Sequence, residues 1–244
     1  VNLIEVGTGA RSFSRLAGPV MPAHHCVITG AGREIPVWVP ALSGGAPDLK
    51  ALAKLRDVME NMPRNAVEGL KEIRINATRE ARHTWKSGIA ATADTHRVID
   101  FYPAGFRTFR SEVSETMAHE LGHVVAIHKT GRFDLRGRAE AAKTADKTKV
   151  SAYGETSFTE DFAEAMRVYV ASGGGVGDPS ALRRFSNRFA LIDDLLGVDT
   201  AARLAIAEEF AKRLAARKIY LLSTSGGVFV FAGGVLYPAE LSRD

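Results

Sequence analysis

Apolar and polar positions divide the chain into a strand-rich start, a mixed centre and a helical second half. Residues 1–20 carry no strong period and read as a loop or lead-in. Cys26 to Thr29, Gly30-Ala31-Gly32 and Glu34 to Val39 predict a hairpin around a glycine turn. His24-His25, with no second cluster nearby, reads as a solvated loop pair. Ser43-Gly44-Gly45-Ala46-Pro47 is a breaker. Pro47-Asp48 then opens a helix, with Leu49, Leu52, Leu55, Val58 and Met59 as its stripe to about Met62, and Pro63 ends it. Short strands are expected at Glu72 to Asn76, Lys86 to Ala93 and His96 to Tyr102, the last two joined by Asp94-Thr95. In the third of these, Val98, Asp100 and Tyr102 share one face, and Ile99 and Phe101 the other. This strand is a candidate edge on which an extended peptide could be laid.

Pro103 to Arg110 is a loop, and Ser111 is a plausible N-cap with Glu112 and Glu115 favourable to the helix dipole. The helix they open runs to about His128. Val113, Met117, Leu121 and Val124 form its apolar stripe, while His119 and His123 lie roughly opposite, beside Thr116, Ala126 and Ile127. Such a helix is expected to be buried on both sides, and buried histidines need partners. Gly122 costs about 1 kcal/mol in a helix interior, which implies a close approach there. Thr130 to Lys149 reads as a mobile basic excursion, with some helix in Glu140 to Lys147. Ser151-Ala152-Tyr153-Gly154 is a turn. A second helix is expected over Glu160 to Ala171, ended by Gly173-Gly174-Gly175, and a third over residues 181–196 after Asp178-Pro179-Ser180. Asp199 caps a fourth over residues 200–217, and Lys218 to Leu222 with Val228 to Phe231 form a terminal hairpin. The class is α+β: residues 1–46 an N-terminal extension with a hairpin, 47–217 the main domain, 218–244 a C-terminal hairpin extension.

Composition narrows this little. The chain has 244 residues, 45% hydrophobic and 25% charged, with a formal charge of +4. The excess of 32 basic over 28 acidic residues is mild, so no nucleic-acid partner is expected. The single cysteine, Cys26, excludes an internal disulfide and reads as a packed small residue. No apolar run reaches transmembrane length, Gly226 to Tyr237 being too short. The chain begins at Val1, consistent with processing or with excision from a longer polypeptide. Compartment and oligomeric state stay open.

The chemistry is concentrated in His119-Glu120-Leu121-Gly122-His123, an H-E-x-x-H pattern. At about 100° per residue the two histidines fall about 40° apart, one turn above each other, and can reach one metal. Glu120 lies too far round to be a ligand but can touch a metal-bound water. Zinc needs a third protein ligand. The metzincin positions hold Ala126 and Lys129, and His128 is out of register, so that class is rejected; His128 reads as a dipole partner or core-edge residue. Glu160 and Glu164, spaced i, i+4, share a helix face, with Phe162, Ala165, Met166 and Tyr169 packing around the other side. Glu160 is expected as the third zinc ligand and Glu164 as the acceptor that orients a ligand imidazole. Asp161 and Glu155 are the alternatives. The competing reading is a capping box, Ser157 with Glu160, and a solvated Glu164.

His119-Glu120-x-Gly122-His123, Tyr153-Gly154 and Glu160-Asp161-Phe162-Ala163-Glu164 together resemble the catalytic domain of anthrax lethal factor and its relatives. These include the Pro-Pro endopeptidases and domains of bacterial toxins and phage-associated proteins. The seven-residue step from Tyr153 to Glu160 and the segment Phe185 to Leu196 fit the likeness, which covers roughly residues 50–196. Nothing in residues 1–45 or 218–244 shares it. The resemblance implies a gluzincin-like fold, one catalytic zinc held by two histidines and a glutamate, and Tyr153 assisting at the oxyanion. The function expected is a zinc endopeptidase acting on a protein or peptide with Glu120 as general base, and the likeness suggests a toxin, effector or processing domain delivered within a larger protein. The alternatives are a catalytically silent zinc-binding module used for binding or assembly, with the basic segment Arg132 to Lys149 as a partner contact, and a metal-dependent amidase.

Overall fold

The computed structural model describes residues 4–12, 20–40, 49–60, 62–75, 91–93, 96–102, 113–216, 220–224, 227–232 and 235–238. Six strands form one mixed sheet: β1 (Ile4–Ser12), β2 (Val20–Gly30), β3 (Arg33–Pro40), β4 (Glu72–Ile75), β5 (Ala91–Ala93) and β6 (Val98–Phe101). Their order is β1-β2-β3-β4-β6-β5. The outer pairs are antiparallel, whereas β3/β4 and β4/β6 are parallel. The register aligns Cys26, Val37, Ile73 and Ile99 in one row across four strands. All four are fully buried. Against this face lie α1 (Leu49–Glu60), through Leu52, Leu55, Val58 and Met59, and α3 (Val113–Val125), through Met117, Leu121 and Val124. The short α2 (Arg64–Val67) links α1 to β4.

The second half is helical: α4 (Gly131–Asp146), α5 (Phe158–Ala171), α6 (Pro179–Arg184), α7 (Ser186–Leu196) and α8 (Thr200–Ala216). A second core joins Leu135 and Ala139 of α4 to Phe162, Met166 and Tyr169 of α5 and to Phe189 and Ile192 of α7. A three-stranded antiparallel sheet, β7 (Tyr220–Thr224), β8 (Gly227–Ala232) and β9 (Val235–Pro238), ends the chain. The class is therefore α+β. No helix of the described residues is long and apolar enough to cross a membrane.

The hairpin of β2 and β3, helix α1, the strands near residues 72 and 98 and the fourth helix lie where the pattern put them. Several expectations are corrected. The lead-in contains β1, whose Gly7, Gly9 and Ala10 give no apolar alternation to read. His24-His25 is in β2, and the His25 ring stacks on Trp38 at 4.4 Å. Residues 1–46 are not set apart as an extension: they supply three of the six strands and part of the main core. The strand at residues 98–101 is interior and buried; among the described residues the edge beside it is β5, and the opposite edge is β1. The terminal hairpin has a third strand. The proposed breaker Ser43 to Pro47, the first part of the Lys86 to Ala93 strand, Asp94-Thr95 and the stretch Pro103 to Glu112 lie outside the described residues.

Two corrections have a clear physical cause. The segment after the motif helix is no excursion: a π-helical turn, Ala126–Thr130, leads directly into α4. Its stripe, Leu135, Ala139 and Ala142, is buried but too small to stand out among charged neighbours. The expected third helix is two helices, broken at Phe185. Asp146, at the end of α4, accepts from the backbone N–H groups of Asn187 (2.8 Å) and Arg188 (3.2 Å) and so caps α7 from a distance.

Candidate metal centre

Two helices build the site. Helix α3 carries His119, Glu120 and His123, and α5 carries Glu160 and Glu164. They pack closely because Gly122 has no side chain. A Cβ placed there would stand 2.8 Å from Ala163 Cα and 3.1 Å from Met166 Cβ. Ala163 sits between the two glutamates, so this contact sets them against the histidines. Helix α5 starts at Ser157, whose Oγ accepts from the Glu160 N–H at 3.2 Å. That is half of the capping box; the Glu160 carboxylate turns to the histidines instead.

Glu160 Oε2 lies 3.1 Å from His119 Nε2 and 3.4 Å from His123 Nε2. The three ligand atoms lie within 4.8 Å of one another. A tetrahedral zinc with ligands at about 2.0–2.2 Å has ligand–ligand edges of roughly 3.3–3.5 Å, so the spacing fits. Glu160 Oε2 is buried, and with both Nε2 atoms as acceptors it has no hydrogen-bond donor among the described residues, so a cation between them would satisfy it. His119 Nδ1 stands 2.9 Å from Glu164 Oε1. With the Nδ1–H donated to Glu164, the Nε2 lone pair points to Glu160 and His123. His119, His123 and Glu160 thus form a group that could hold a metal ion.

The surrounding charges agree with this. Burial opposes ionisation of Glu160, but the two imidazoles outweigh it and hold the carboxyl well below its usual range. Glu164 behaves alike: His119, Ser151 and Arg167 overcome burial and pull it down to about 2. At His119 burial disfavours the imidazolium, yet Glu160 and Glu164 push its pKa up to about 9. The arrangement calls for a positive charge between imidazole and carboxylate. Glu120 is the exception. Burial raises its pKa against the opposing pull of the histidines, the Ala93 backbone hydrogen-bonds to it, and Oε2 is buried without a partner among the described residues.

Tyr153 stands half-exposed, its ring 5.8 Å from that of His119. Burial, then the Glu160 and Glu120 charges, pushes its hydroxyl up to about 12, so it remains a hydrogen-bond donor at neutral pH. Its turn is tied to the site by Ser151, which hydrogen-bonds to Glu164 while its Oγ accepts from the Gly154 N–H at 2.9 Å.

The other candidates are engaged elsewhere. Asp161 makes a buried bidentate pair with Arg188 (2.8 and 2.9 Å), which also binds Asp146 at 3.0 Å. Glu155 is held by Lys143 at 2.7 Å and Lys149 at 3.3 Å. His128 faces Arg97, whose Nη1 is 2.6 Å from its Nδ1, and packs on Gly69. Sequence reasoning missed Arg167, which binds Glu164 Oε2 at 3.0 Å and Glu115 Oε2 at 2.6 Å. The signal was available: Arg167 is three residues from Glu164 on α5, and Glu115 is one turn before His119 on α3. No family model matches the chain, and no curated protein is significantly similar to it.

Proposed function

We propose that the chain is a zinc-dependent endopeptidase in which His119, His123 and Glu160 hold the metal and Glu120 is the general base. One observation carries this reading. At the site itself, two buried carboxylate oxygens lack hydrogen bonds among the described residues: Glu160 Oε2, facing both imidazoles, and Glu120 Oε2 within their electrostatic reach. A structural metal site requires the first and has no use for the second. The motif likeness to the lethal-factor-like gluzincins points the same way, and a toxin, effector or processing role comes from that likeness alone.

When bound, zinc would polarise the scissile carbonyl and lower the pKa of the attacking water. Glu120 takes the water proton at Oε2 and passes it to the leaving amine; general-base action of this kind contributes roughly 10²- to 10⁴-fold. Its burial suits it to the task, since a carboxylate with a raised pKa is the stronger base. Tyr153 donates a hydrogen bond from its hydroxyl to the developing oxyanion and keeps its proton. Glu164 fixes the His119 ring through Nδ1. Among the described residues β5 ends the sheet, and its Ala93 backbone hydrogen-bonds to Glu120, so the substrate peptide would run close to this strand.

The Glu120→Gln variant tests the mechanism. Zinc per chain is expected to stay at the wild-type level while hydrolysis of a peptide library falls by about 10²-fold or more. Unchanged turnover in that variant would remove Glu120 from the chemistry.

A further inference from the structure

Beside the metal centre, α4, the link that follows it, the turn after Tyr153 and the end of α6 enclose a shallow concavity of about 860 Å³. Its charged lining is Lys143, Lys147, Lys149 and Arg184, against Glu140 and Glu155. We propose that this concavity binds acidic side chains of the substrate, so that the peptides accepted carry Asp or Glu flanking the scissile bond. The role in cleavage rests on the peptidase reading; the binding does not.

Location comes first. Glu155 lies two residues after Tyr153, and Lys143 Nζ is 3.9 Å from Asp161, the neighbour of Glu160. The concavity thus borders the turn that follows Tyr153 and the first turn of α5, which carries Glu160.

The chemistry follows from what the lysines already do. Lys143 and Lys149 close on the Glu155 carboxylate at 2.7 and 3.3 Å and hold its pKa below the usual range. The wall therefore binds one carboxylate of the protein's own. Glu140 is paired with Arg136 at 3.0 Å. Lys147 and Arg184 remain exposed, and among the described residues neither makes an ion pair; Arg184 lies over the Phe185 ring at 5.1 Å. Among the described residues these two cations have no ion-pair partner, and both line the concavity. Lys147 also holds a left-handed backbone, φ 55°, just beyond α4, where glycine is usual.

A peptide fits this lining better than a nucleic acid does. Carboxylates interrupt the cations, and among the described residues no aromatic ring lines the concavity to stack a base. Discrete lysine ammonium groups, spaced around a carboxylate already in place, match separate acidic side chains.

The test uses the zinc-loaded Glu120→Gln protein and a fluorescein-labelled peptide alternating Glu and Ala, with a Lys and Ala peptide as control, read by anisotropy. The acidic peptide is expected to bind, more weakly as salt rises, and the basic one not to bind. Lys147→Glu with Arg184→Glu should weaken it about five-fold or more, the effect of losing two exposed ion pairs. Lys147→Gly, which suits the left-handed backbone and guards against a folding artefact, should weaken it in the same direction. Equal binding of the two peptides, no loss in the variants, or preference for a single-stranded oligonucleotide would overturn the proposal. Failure of the peptidase reading would be seen separately, as no cleavage of any peptide by the wild-type chain.

Discussion

Glu164 does more than accept one hydrogen bond. It binds His119 Nδ1, two nitrogens of Arg167 and the Ser151 hydroxyl, so one carboxylate orients a ligand and holds the turn that carries Tyr153. Glu164→Ala is expected to weaken zinc binding by about 10- to 100-fold, measured by competition with a chelator; an unchanged affinity would reduce Glu164 to a helix-packing residue. A pH prediction follows from the same cluster. In the chelated protein the His119 pKa is about 9 against an ordinary 6.5. A raised folded-state pKa means that the folded state holds the proton more tightly, so this contribution is full below pH 6.5 and is lost as pH rises towards 9. Denaturant unfolding of the zinc-free protein should show that alkaline loss. The zinc-loaded protein should not, because Nε2 would then be a ligand and no proton would be taken up there.

At the level of elements, the contact of α3 with α5 decides whether the ligands meet. Gly122→Ala would gain about 1 kcal/mol in helix propensity. It would also drive a Cβ to 2.8 Å from the Ala163 backbone, which cannot yield as a side-chain tip does. Overpacking of this kind typically costs about 1–3 kcal/mol. The variant is expected to be less stable than wild type and to bind zinc more weakly, read by thermal unfolding with and without zinc; a more stable variant of full zinc affinity would contradict the account of the close approach. This contact, and the His119, His123 and Glu160 group that could hold a metal ion, was legible in the sequence because the information is local: H-E-x-x-H on a helix, a glycine where alanine is favoured, and two carboxylates i, i+4. Elements whose cause lies far along the chain were not legible. Phe185 interrupts a good helical pattern because Asp146 caps the next helix, forty residues later. Helix α4 hid behind a stripe of alanines. The edge strand was misassigned because strand order is a property of the sheet, and residues 96–102 read alike at an edge or inside.

Across the whole molecule the centre lies on a seam. Helix α3 packs on the sheet through Met117, Leu121 and Val124, while α5 belongs to the second core through Phe162, Met166 and Tyr169. The proposed ligands come from both. A metal held by His119, His123 and Glu160 would therefore join the two cores, and its binding free energy would add to the stability of the folded chain. The buried Asp161–Arg188–Asp146 and Tyr169–Asp193–Arg203 clusters brace the helical side independently of any metal. Removing the third ligand should thus empty the centre without unfolding the protein. The most direct test is the zinc content of the natively purified chain beside that of Glu160→Ala, by elemental analysis of folded protein. The account predicts about one zinc per wild-type chain and strong loss in the variant. No zinc in the wild type after supplementation, or full retention in Glu160→Ala, would contradict it.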